Sequence, residues 1–130
     1  MSRKSSLPKP TDAELAILRV LWQRGPSTVR EVHEALSRDR DTGYTTVLKF
    51  LQIMTEKGLV TRDDSVRAHT YRPLLSEEQT QRTLVGDLLD RAFGGSAEKL
   101  VLHALTARET SAEELAQVRR LLDKLEGDIS

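Results

Sequence analysis

The residues of this chain best suited to chemistry on another molecule are Thr45, Thr46 and Lys49, in the stretch GYTTVLKFLQIMTEKGLV, residues 43–60. Two adjacent hydroxyls with a cation one turn on are poor material for a core. They suit contact with nucleic acid: a hydroxyl donates to a phosphate or a base edge, a threonine methyl meets the thymine methyl, and a lysine meets phosphate or guanine. Further along, Arg62, Arg67, Arg72 and His69 put positive charge on and around a short alternating segment, where it would meet a DNA backbone or minor groove. Any one of these side chains alone is an ordinary solvated residue. As a set, on the order of elements described next, they point to double-stranded DNA.

The elements that must position them are written clearly. TDAE at Thr11–Glu14 and TVRE at Thr28–Glu31 are capping boxes, in which the hydroxyl accepts an amide of the first turn and the carboxylate reaches back. Leu15, Ile17, Leu18, Leu21 and Trp22 follow the first, and RGP at residues 24–26 stops that helix. Val29, Val32 and Leu36 follow the second. After a polar connector, SRDRDTG, a third helix is expected from Gly43–Tyr44, with Tyr44, Val47, Leu48, Leu51 and Met54 as its buried stripe and Gly58 as its left-handed end. The period then shortens: LVTRD and RAHTYRP, joined by a DSV turn and closed by Pro73, read as a β-hairpin. Three more helices follow. The first starts at SEEQ (Ser76–Gln79), carries Leu84, Val85, Leu88, Leu89, Ala92 and Phe93, and ends at Gly94-Gly95. The second starts at Ser96 and carries Leu100, Val101, Leu102 and Leu105. The last starts at SAEE (Ser111–Glu114) and has Leu115, Val118, Leu122 and Leu125 at heptad-like spacing.

The fold class expected is therefore mainly α with a small β-hairpin wing. A flexible arm over residues 1–10 precedes a winged helix-turn-helix over 11–75 and a helical dimerisation domain over 76–130. That last piece is too short to bury a good core alone, and a second copy would complete it. Leu88, Leu89, Leu121, Leu122 and Leu125 are the candidate interface residues, with an intramolecular core as the other use of the same stripe.

The bulk numbers agree with two parts that have different partners. The 130 residues carry 20 basic and 20 acidic side chains. Residues 1–75 hold 13 basic against 9 acidic ones, and residues 76–130 hold 7 against 11. There is no cysteine, which excludes disulfides and thiolate metal sites. There is no long apolar run, so no membrane insertion and a cytoplasmic location are expected. The three histidines, His33, His69 and His103, fall on different elements and share no metal-ligand spacing, and no nucleophile or phosphate-loop signature is present. Neither an enzyme nor a metal or cofactor site is expected. The rival from another class is a winged helix that binds protein without specific DNA binding.

The ordered set TDAELAILRVLW, TVREVHEAL, YTTVLKFLQIMTEKGLV, HTYRP, FGGSAEKLVLHAL and SAEELAQVRRLLDKLE resembles the penicillinase-repressor (BlaI/MecI-type) family of bacterial winged-helix regulators. No single piece is specific; the set covers nearly all of the chain after residue 10. The resemblance implies a homodimeric repressor on inverted-repeat operators. It places Thr45, Thr46 and Lys49 on the contacting part of the recognition helix, and Arg67 and His69 on the wing. In β-lactam-responsive members a membrane metalloprotease sensor triggers cleavage at an Asn-Phe bond in the dimerisation domain. This chain reads His103-Ala104 at the matching place. Family members commonly carry a basic or polar residue where this chain has Ile53. A copper-responsive branch relies on a C-terminal cysteine motif, which this chain lacks.

Overall fold

The structure is a computed structural model and describes residues 8–38, 41–65 and 67–129. Of the expected arm, residues 1–7 lie outside that description, as do residues 39–40 of the connector and Val66 of the hairpin turn. The elements are α1 (Asp12–Arg24), α2 (Val29–Leu36), α3 (Tyr44–Lys57), β1 (Val60–Asp63), β2 (Thr70–Pro73), α4 (Glu77–Ala92), α5 (Ala97–Thr106) and α6 (Ala112–Ile129).

The helix starts other than that of α3 follow from hydroxyl caps. The Glu14 amide donates to Thr11 Oγ1 at 3.3 Å, and the Thr11 amide donates to Glu14 Oε1 at 2.9 Å. Thr28 with Glu31, and Ser76 with Gln79, close the same reciprocal pair. Ser96 and Ser111 cap α5 and α6. Each such cap stabilises its helix by about 1 kcal/mol.

Two compact units are present, Met1–Asp87 and Leu88–Ser130, and the division falls within α4. The first unit holds the hydrophobic core. Ile17, Leu18 and Leu21 of α1, Val29, Val32 and Leu36 of α2, and Val47, Leu51 and Met54 of α3 meet Leu59, Val60 and Tyr71 from the hairpin. Tyr44 departs from the expected stripe: it is 48% exposed. It is the first residue of α3, and its ring meets that of His33 edge-on, with centroids 6.0 Å apart. Trp22 is half-buried, and its indole N–H donates to the Leu75 carbonyl at 3.1 Å, which ties the end of the hairpin back to α1.

At the end of α3, Gly58 takes φ 83°, ψ 20°, the left-handed conformation that turns the chain into β1 at low steric cost. β1 and β2 pair antiparallel, with Arg62 opposite Tyr71 and Asp63 opposite Thr70. Ser27 adds a third, one-residue strand: its amide donates to the Tyr71 carbonyl at 3.0 Å and its carbonyl accepts the Tyr71 amide at 2.8 Å. A single residue has no period, so the sequence carried no strand signal there.

The second unit is different in kind. None of its described residues is buried. Val101, Leu102, Leu121, Leu122, Leu125 and Ile129 are exposed.

Candidate nucleic-acid interface

The interface is built on α3. Its inward face is fixed by Val47, Leu51 and Met54, each 0% exposed. Its C-terminal end is tied to α1 by Lys57, whose Nζ lies 2.6 Å from Glu14 Oε1. Glu14 is 3% exposed. Burial pushes its carboxyl pKa up, but the Lys57 ammonium and the Thr11 amide and hydroxyl outweigh that and hold it below the ordinary value. The same carboxylate therefore caps α1 and anchors the last turn of α3. Neither the capping-box pattern nor the spacing of Lys57 signalled that second use, because the two residues are far apart in sequence.

With one face locked, the opposite face of α3 is a rigid platform. Thr45, Thr46 and Lys49 are exposed on it, and they line a shallow depression of 370 Å³ together with Phe50 and Ile53. The structure thus brings the three predicted α3 residues into one place and adds two apolar side chains to them. Lys49 has no acidic partner among the described residues. The start of α3 also differs from those of the other described helices. Its N-cap is Gly43, and no side chain satisfies the first-turn amides. Those amides and the positive end of the helix dipole are left facing outward beside Thr45 and Thr46.

The hairpin carries the second group. Arg62 grips Asp64 through Nε at 2.7 Å and Nη2 at 3.2 Å. The hydrogen bonds to Asp64 and then to Tyr71 raise the guanidinium pKa above its ordinary value. His69 Nδ1 sits 3.3 Å from the same carboxylate. The hydroxyl and amide of Ser65 hold Asp63 below its ordinary value. Of the two predicted wing residues, Arg67 is exposed and without an ion pair among the described residues, whereas His69 is drawn onto Asp64. Asp64 lies one residue past the end of β1 and was missed from sequence as a partner of Arg62.

Of the predicted dimer-face residues, Leu88, Leu121, Leu122 and Leu125 are between 47% and 54% exposed, and Leu89 is partly buried. His103 and Ala104 are exposed in the last turn of α5, where the His103 carbonyl accepts the Ala107 amide at 2.8 Å and the imidazole stacks at a tilt on Phe93 with centroids 5.8 Å apart. Among the described residues no cluster of three or more His, Asp or Glu is placed to hold a metal, and no helix is long and apolar enough to cross a membrane.

Three helices, the second and third forming a helix-turn-helix, followed by a hairpin that pairs with a residue before α2, define a winged helix-turn-helix. Within that class the comparisons are specific. The family described as penicillinase repressor matches residues 10–124, so the chain belongs to the penicillinase-repressor family. It is 39% identical to the transcriptional regulator BlaI of Mycobacterium tuberculosis over 88% of this chain and 83% of that protein. It is 25% identical to the penicillinase repressor of Bacillus licheniformis, over 91% of this chain and 92% of that protein. Among solved structures, the monomeric form of Bacillus licheniformis BlaI in complex with the blaP half-operator is similar with a TM-score of 0.50 and 26% identity, covering 56% of this chain and 89% of that one. The chain is a transcriptional regulator of the repressor class and not an enzyme.

Proposed function

We propose that this protein is a homodimeric, sequence-specific DNA-binding repressor that recognises a palindromic operator through α3. The observation that carries the reading is the outward face of α3: an uncapped helix start, two hydroxyls and an unpaired lysine on a helix whose other face is fully buried. A similar solved chain is described in complex with a half-operator, which supports the same use here. The dimer rests on α5 and α6, whose apolar residues have no core of their own and would gain one from a second copy. Two recognition helices would then enter successive major grooves about 34 Å apart, which requires an inverted repeat. Arg67 is the wing residue free to meet phosphate. Asp64 competes for His69, so His69 contributes less.

Relief of repression by proteolysis at His103–Ala104, triggered by a membrane metalloprotease sensor, would need α5 to open first, because that bond lies within a hydrogen-bonded helix.

The test is binding of the full chain to the DNA upstream of its own gene, by fluorescence anisotropy, at several salt concentrations. Affinity should fall steeply with salt and be lost when the palindrome is scrambled. Lys49→Ala should weaken binding, by about 1–3 kcal/mol with relaxed specificity if the lysine meets a guanine, and evenly across sequences if it meets phosphate. Weak binding that is equal on scrambled DNA would instead favour a protein-interaction module, a reading to which the exposed Tyr44 and Ile53 on α3 lend their only support.

A further inference from the structure

Phe50 is half-buried against the hydrophobic core and Ile53 has no role in the contacts described above, yet both line the depression on α3. Ile53 is 36% exposed on a helix face turned away from the core, where a polar residue would cost nothing. Scattered exposed apolar side chains are common and mean little alone. This one is not scattered. At about 100° per residue, Thr46, Lys49, Phe50 and Ile53 share one side of α3, and their side chains enclose a single concavity with Thr45. Its lining combines two apolar side chains, Phe50 and Ile53, with two threonines, each of which carries a methyl, and one lysine. No acidic residue lines it.

The major groove offers hydrogen-bond donors and acceptors at every base pair, but one apolar group only, the C5-methyl of thymine. An apolar concavity on a groove-reading face therefore has one complementary partner in DNA. The thymine O4 lies beside that methyl and is an acceptor for a lysine ammonium. We infer that the concavity formed by Thr45, Thr46, Lys49, Phe50 and Ile53 is a thymine-methyl pocket, and that Ile53 makes thymine the preferred base at one position of each operator half-site. This rests on α3 entering the major groove, as proposed above.

The experiment begins with the full chain and a duplex enriched from a random-sequence pool by repeated binding. Each thymine of that duplex is then replaced in turn by deoxyuracil, which differs only in lacking the methyl. At one thymine per half-site the replacement should weaken binding roughly fourfold, the expected effect of exposing one methyl group. In Ile53→Ala the same replacement should change affinity by less than about twofold, and Ile53→Val should keep most of the discrimination; the double-mutant comparison isolates the contact. Ile53 lies outside the core, so both variants should fold. A specific duplex with no uracil-sensitive thymine would overturn the pocket and leave DNA binding standing. Sensitivity that persists in full in Ile53→Ala would overturn the assignment to Ile53. Failure to enrich any duplex would overturn both the pocket and the DNA-binding reading beneath it.

Discussion

α3 and α6 carry the same kind of apolar stripe and come to opposite ends. In α3, Val47, Leu51 and Met54 recur at helical spacing, and all three are fully buried. In α6, Leu115, Val118, Leu122 and Leu125 recur just as regularly, and none is buried. The difference lies in the neighbours. α3 is enclosed by α1, α2 and β1, each of which packs against it. Among the described residues α5 and α6 share no broad packing contact. A stripe states which face of a helix is to be covered, but not by what. In the first unit the cover is in the same chain; in the second the proposed cover is a second copy of the chain.

That contrast is most directly broken at Leu122. Leu122→Asp should abolish the dimer, because a carboxylate without a counter-ion in an apolar interface costs about 3–5 kcal/mol. Sedimentation velocity should show a monomer, while the thermal unfolding of the winged-helix unit stays where it was. A clean dimer would mean that the α6 stripe is solvated and that the two units do not differ in the way argued here. The matching change in α3 should act on folding instead. Leu51→Ala removes a side chain with 0% exposure and should lower stability by about 2–5 kcal/mol in urea unfolding. A loss below 1 kcal/mol would show that the back of α3 is not part of a tight core.

The sequence was most legible where the chemistry is local. Thr11, Thr28, Ser76, Ser96 and Ser111 are each followed by the amide they cap, so every helix start they mark is where the pattern put it. Gly58 was legible for the same reason; of the alternating RAHTYRP only Thr70–Pro73 pairs as a strand, and Arg67, Ala68 and His69 lie in the turn before it. Tyr44 was misread because helical period alone extends a stripe to the first residue, where the core no longer reaches. The Ser27–Tyr71 pairing, the bridge between Glu14 and Lys57, and the hold of Asp64 on both Arg62 and His69 depend on how the chain folds back. Periodicity contains no term for that. On the candidate interface, residue type pointed to Thr45, Thr46 and Lys49, but that Phe50 and Ile53 complete one concavity with them is a matter of shape.

The smallest effect distinguishes the units by their response to acid. Glu14 is buried and paired with Lys57, and its carboxyl pKa in the folded chain lies below the ordinary 4.5. The unfolded chain therefore takes up this proton at a higher pH than the folded one. The pair's contribution is complete above about pH 4.5 and is lost as pH falls through the lower, folded value. Lys57→Met keeps the length of the side chain and removes the ammonium. It should lower stability at neutral pH by about 1 kcal/mol, at the low end for a buried carboxylate because Lys57 is itself 34% exposed. It should also flatten the acid limb of the stability curve of the winged-helix unit, since the carboxylate would lose the ammonium that favours it over the acid and keep only its bonds to Thr11. Urea unfolding of both proteins between pH 7 and pH 3 reads this directly. Parallel curves, offset but with the same acid slope, would show that the Lys57 contact holds α3 by packing alone and that its charge is idle. Convergence of the curves at low pH would show that the ion pair fixes the end of α3 to the start of α1, and through it the platform on which Thr45, Thr46 and Lys49 stand.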